Sequence, residues 1–107
     1  MNQAKQSGEV LVRDATERSR FEIAVDGALA GFSEYHTRPG RVVITHTEIG
    51  DEFQGQGLAG KLVRAALEQV KRRGEQITPL CPYVAGYIRK HPEYVSLVDE
   101  RHRTQFE

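Results

Sequence analysis

Eight residues near the middle of the chain, Gln54-Gly55-Gln56-Gly57-Leu58-Ala59-Gly60-Lys61, have the composition of loops that let a backbone close on phosphate oxygens. Three phosphate chemistries compete for them. As a nucleoside-triphosphate loop, Gly55, Gly60 and Lys61 supply the outer glycines and the lysine, but Leu62 stands where a Ser or Thr must hold magnesium. The helical pattern also begins by Leu58, which puts Lys61 inside the helix. As a dinucleotide fingerprint, Gly55, Gly57 and Gly60 are correctly spaced, yet they do not follow the preceding strand tightly, and Glu75 precedes the next strand instead of ending it. The third reading is the diphosphate of an acyl-CoA, held by successive N–H groups at a helix N-terminus and favoured by the helix dipole. An ordinary capped loop would explain the glycines alone.

Acyl transfer to an amine needs a proton acceptor, donors for the developing oxyanion and an acid for the leaving thiolate. His46 and Glu48 share strand parity, so His46 can relay a proton to a carboxylate or pack as a hydrogen-bonded core histidine. Cys81 is either an acyl-accepting nucleophile or a small buried side chain. Cys81, His46, His91 and Glu48 lack the paired spacing of a zinc site, and no metal is expected. Arg64, Lys71, Arg72, Arg73, Arg89 and Lys90 either flank phosphates or form a solvated basic face.

The elements that position these residues read clearly. Residues 10–12 and 20–25 alternate apolar and polar side chains as strands, with a hairpin turn at Asp26-Gly27. The return strand, 28–36, precedes the turn signal Thr37-Arg38-Pro39-Gly40 and a central strand over 41–49. Helical spacing of Leu58, Leu62, Ala65, Ala66 and Val70 follows, stopped at Gly74. Residues 76–80 form a short strand parallel to 41–49, since strand, helix and strand in sequence make a right-handed parallel unit. Pro82 starts a second helix running to about Lys90, before Pro92. The fold class is α/β: an antiparallel meander, one parallel β-α-β unit and a second helix in a mixed sheet.

The 107 residues fit one domain, expected over 9–98, between a disordered tail at 1–8 and a charged tail at 99–107. Fifteen basic and fifteen acidic residues cancel, so no global field draws the chain to nucleic acid or membrane. One cysteine excludes an intramolecular disulfide and points to a reducing cytoplasm. No apolar run is long enough for a membrane span, and the polar start lacks the apolar stretch of a signal peptide.

The loop resembles the signature of the GNAT acetyltransferase superfamily: Gln54, Gly57 and Ala59 match its Gln/Arg, Gly and Gly/Ala positions. His46-Thr47-Glu48, Pro79-Leu80-Cys81-Pro82 and His91-Pro92-Glu93-Tyr94 extend the resemblance to a family of very small GNAT-like proteins, covering about 20–98. The resemblance implies a minimal acyl-CoA N-acyltransferase fold, with CoA across a V-shaped opening between the parallel strands. It implies acetyl-CoA as cosubstrate, bound by Ile49, Gln54, Gly55, Gln56, Gly57, Leu58, Ala59, Gly60, Tyr87 and Arg89. It further implies Glu48 as base, Tyr87 as acid near the CoA sulfur and Cys81 beside the acyl site. The expected activity is acetyl transfer to a small amine or peptide end. The alternative is an acyl-CoA-binding module, acylated on Cys81, without turnover of an amine. Ordinary members add further strands after the second helix to wall the acceptor groove, and this chain nearly ends there.

Overall fold

A computed structural model describes residues 9–107; the expected tail at 1–8 lies outside them. Five strands form one sheet in chain order: β1 (Val10–Ala15), β2 (Arg20–Val25), β3 (Ala28–Arg38), β4 (Arg41–Ile49) and β5 (Gln76–Pro79). The first four pair antiparallel, and β4 pairs β5 parallel. Helix α1 (Leu58–Arg72) makes the crossover, α2 (Pro82–Lys90) follows β5, and α3 (Glu100–Arg103) lies near the end. No helix of the described residues is long and apolar enough to cross a membrane.

Local chemistry accounts for these bounds. Asp26 and Gly27 both take positive φ, 49° and 86°, as a twisted two-residue hairpin demands. Helix α1 ends in paired backbone bonds, Gly74 N–H to Lys71 O and Glu75 N–H to Val70 O, with Gly74 left-handed at φ 72°. Its apolar stripe, Leu58, Leu62, Val63, Ala66, Leu67 and Val70, is buried against Phe21, Ile23, Tyr35, Val42, Ile44 and Ile77 of the sheet.

Strand β1 is longer than its apolar residues predict. Arg13 and Asp14 break the sequence pattern but remain paired with β2, because their charges find partners: Asp14 accepts from the Tyr35 hydroxyl and from Arg73 at 2.9 Å, and Arg13 reaches Glu17 at 2.7 Å. On the sheet face away from α1, buried Glu22 accepts from Arg18 at 2.7 Å and Arg20 at 2.8 Å. The Arg18 hydrogen bond, aided by Arg20, holds the Glu22 carboxyl down at about 2 against the cost of burial.

The segment expected as a charged tail is built into the fold. Val98 bridges Ile77 at the outer edge of β5, and Asp99 N–H donates to Ile77 O at 2.9 Å. The Asp99 carboxylate then accepts from the Thr78 hydroxyl at 2.6 Å and lies 2.8 Å from His102 Nδ1. These contacts satisfy an edge that the sequence pattern leaves open.

Where β3 meets the end of β4, a Cβ added at Gly31 would lie 2.5 Å from Glu48 O and 2.5 Å from Ile49 Cδ1. No real side chain tolerates that approach without backbone movement. Gly31→Ala is therefore expected to lower stability by about 1–3 kcal/mol, read as a reduced denaturant midpoint at unchanged slope.

Candidate active site

The parallel pairing of β4 with β5 runs from Arg41↔Gln76 to Ile44↔Pro79 and stops. Leu80 N–H and Cys81 N–H both donate to Ile44 O, each at 3.0 Å. Beyond that point β4 continues through residues 45–49 with no β5 partner. The two strands thus part after Ile44, leaving β4 backbone groups facing a gap.

A bulge decides which side chains meet at this gap. Glu34 pairs with His46 and Tyr35 with Ile44, so Thr45 is an extra residue in β4. Before it, Val42 and Ile44 face the helices with Tyr35. After it the parity is reversed: Thr47 and Ile49 face the helices, while His46 and Glu48 face the opposite side with Glu34 and Phe32.

The candidates therefore fall into separate groups. His46 Nε2 lies 3.1 Å from Glu48 Oε1, with side chains 53% and 59% exposed. The Phe32 ring lies 6.1 Å from the His46 ring. On the helix side, buried Cys81 directs its Sγ to Thr47 Oγ1 at 3.5 Å, and Thr47 Oγ1 is 2.9 Å from the hydroxyl of fully buried Ser33. Cys81 is not brought together with His46, Glu48 or His91, and no group of three or more metal-ligating side chains occurs among the described residues.

The loop follows the free end of β4. Phe53 packs against the core, and the Gln54 amide donates to Ile49 O at 2.8 Å, closing the loop onto the strand. Gly55 and Gly57 are left-handed, at φ 80° and 70°, and a Cβ at either would meet nothing within 4 Å. Gly57 is the N-cap of α1, and no side chain caps that helix. Its first-turn N–H groups consequently lack intrahelical acceptors and, with the helix dipole, favour an anion. A groove of about 100 Å³ runs along Ile49, Phe53, Gln54, Gly55, Gly57, Leu58, Ala59 and Gly60, with Tyr83 on its far wall. Gln56 is exposed and does not line it.

Tyr87 and Arg89 do not line this groove. Tyr87 stands beside Gly60, between a hollow shared with Tyr83 and Lys90 and another with Arg64 and Glu68, its ring stacked 4.1 Å from that of His91. Burial raises its phenol pKa above the ordinary value, so it stays protonated at neutral pH. The Arg89 guanidinium lies 5.4 Å over the Phe106 ring and reaches Gln105 at 3.5 Å, turned toward the C-terminal segment. Tyr83, Thr47 and Ser33 had no sequence signal of their own. Only the polar run of residues 45–48 in a central strand hints that β4 leaves the packed sheet there.

Comparison with known proteins gives a consistent picture. The family model described as GCN5-related N-acetyl-transferase matches residues 20–97. The chain is similar to Protein NATD1 of Mus musculus, 26% identical over 90 residues and 82% of each chain. It is likewise similar to Protein NATD1 of Xenopus tropicalis, 26% identical over 88 residues, covering 80% of this chain and 81% of the relative. An NMR structure of a GCN5-like protein from Staphylococcus aureus shares the fold, with a TM-score of 0.63 at 22% identity over 82% of this chain and 86% of that one.

Proposed function

Because the chain belongs to the GCN5-related N-acetyltransferase family, we propose that it transfers an acetyl group from acetyl-CoA to an amine, with residues 54–60 holding the diphosphate. The observation that carries this reading is the uncapped, glycine-opened start of α1 beside a strand that parts from its neighbour. The site fits the cosubstrate: left-handed Gly55 and Gly57 leave open space over the loop, and the free amides of the first turn suit diphosphate oxygens. Bound there, acetyl-CoA supplies an activated thioester.

The residues divide the remaining work by sheet face. The acceptor enters on the face of His46 and Glu48, where the exposed carboxylate attracts an ammonium and the pair takes up the proton that the amine gives up. Glu22 cannot share that role, since two guanidiniums hold it. Gln54 keeps the loop fixed to β4, so the donor is positioned by the same strand that carries the base. Tyr83, which lines the loop groove, offers its hydroxyl to the diphosphate end of CoA.

A second reading, an acyl-CoA-binding module that acylates Cys81, draws on the Thr47 hydroxyl lying 3.5 Å from the Cys81 thiol, just past the point where the strands part. The two readings are separated by Cys81→Ala, assayed with acetyl-CoA and a panel of primary amines. Direct transfer predicts that the variant retains most of the activity and that the wild type shows no acetyl adduct in its intact mass. A Cys81 adduct in the wild type that Cys81→Ala abolishes, with no amine acetylated by either protein, would favour the second reading.

A further inference from the structure

The sheet face that carries His46 and Glu48 continues across β3, β2 and β1, and a second bulge sets its character. Ile23 pairs with Gly31 but Ala24 with Leu29, so Ala30 is an extra residue in β3. Parity from Phe32 alone would turn Ala30 outward and Leu29 toward the helices. The bulge exchanges them: Ala30 is buried in the core, and Leu29, 52% exposed, stands on the outer face with Phe32. Cross-strand from Leu29 lies Ala24, and beyond it Leu11, 61% exposed. One row across three strands is therefore apolar on the face opposite α1.

Two hollows meet on this row. One of about 160 Å³ lies between Leu29, Phe32, Glu48 and Gly50, and the other, of about 440 Å³, runs from Leu29 past Ala24 to Leu11 and Arg13. Glu48 thus stands at one end of a trough with an apolar floor. Phe32 is its direct cross-strand partner, and Leu29 follows about 10 Å along the strand from Phe32. Charge is placed as unevenly as shape. The other carboxylate lining these hollows is Glu22, which already accepts from Arg18 at 2.7 Å and Arg20 at 2.8 Å, with Arg13 3.8 Å away. Among the described residues the ion-pair partner of Glu48 is His46 alone. One ammonium therefore has a place at Glu48, whereas a second, further along the trough, would meet Arg13 and no free carboxylate.

We propose that the acceptor is a small primary amine with an uncharged, apolar substituent, its ammonium at Glu48 and its hydrocarbon over Phe32 and Leu29. The inference rests on the acetyl-transfer reading and names its substrate class. Ethylamine, hexylamine and hexane-1,6-diamine test it, since they share a reacting group and differ in hydrocarbon and distal charge. With the full chain and acetyl-CoA, kcat/KM for hexylamine is expected to exceed that for each of the other two by about tenfold. Leu29→Ser is expected to shrink the advantage over ethylamine to about threefold or less. Leu29→Asp, which puts a carboxylate where the distal ammonium falls, is expected to favour the diamine over hexylamine. Leu29 is half exposed, so both variants should fold, which their melting temperatures check; the wild-type comparison stands without them. Equal kcat/KM for the three amines, a wild-type preference for the diamine, or a hexylamine preference unchanged in both folded variants would overturn the inference while leaving acetyl transfer intact. A dimer in sedimentation that Leu29→Asp dissociates, with the amine preference unchanged, would also overturn it and assign the face to a second copy of the chain. Acetylation of no amine would defeat both.

Discussion

Glu48→Gln is expected to slow amine acetylation by about a hundredfold while leaving the affinity for CoA unchanged. The carboxylate lies on the face opposite Cys81 and the helices, more than half exposed and 3.1 Å from His46. The amide keeps the shape and a hydrogen bond to His46 but cannot accept the ammonium proton or attract a cationic acceptor. The loss should therefore appear in both kcat and kcat/KM. Glu34, cross-strand from His46 on the same face, is the comparison: Glu34→Gln is expected to leave most of the rate. An equal loss at the two positions would mean that the face acts through its summed charge and not through a positioned base.

Gly57→Val is expected to weaken CoA binding more than tenfold, a loss of at least about 1.4 kcal/mol. Two effects act together. The residue has φ 70° and ψ 20°, a left-handed conformation that a β-branched side chain resists. Its Cβ also projects into open space at the start of α1, where the diphosphate must approach. Because no atom of the protein lies within 4 Å of that Cβ, packing of the core is untouched and the fold should survive. Gly57→Asn separates the two effects, since asparagine accepts the left-handed conformation. Reduced affinity in both variants assigns the loss to obstruction, whereas reduced affinity in valine alone assigns it to the backbone.

The elements of this fold were largely legible because each carries its own local signal. The 3.6-residue spacing from Leu58 to Val70, stopped by Gly74, specifies α1, and Pro82 opens α2 where its missing N–H costs nothing. The β2–β3 hairpin follows from Asp26-Gly27, whose positive φ values the turn requires. The loop at 54–60 was legible for the same reason, being contiguous.

What the sequence did not disclose depends on contacts between distant segments. The Thr45 bulge is set by the pairing of β4 with β3, and no pattern within 41–49 announces that Thr47 and Glu48 end on particular faces. The parity of His46 with Glu48 was correct, but their separation from Cys81 required the sheet. Arg13 and Asp14 continue β1 only because Glu17, Tyr35 and Arg73 satisfy them. Residues 99–107 look like a charged tail until Thr78 and Ile77 supply partners for Asp99. Tyr83 and Tyr87 are indistinguishable as tyrosines of one helix; both pack near Gly60, and Tyr83 lines the loop groove.

The central claim is tested most directly by mixing the full chain with acetyl-CoA and a panel of primary amines, and following free CoA thiol alongside the mass of each amine. The account predicts thiol release that depends on the amine and matches the acetylated product, mole for mole. Binding of acetyl-CoA with no amine-dependent thiol release across the panel, or release with no acetylated amine, would contradict it.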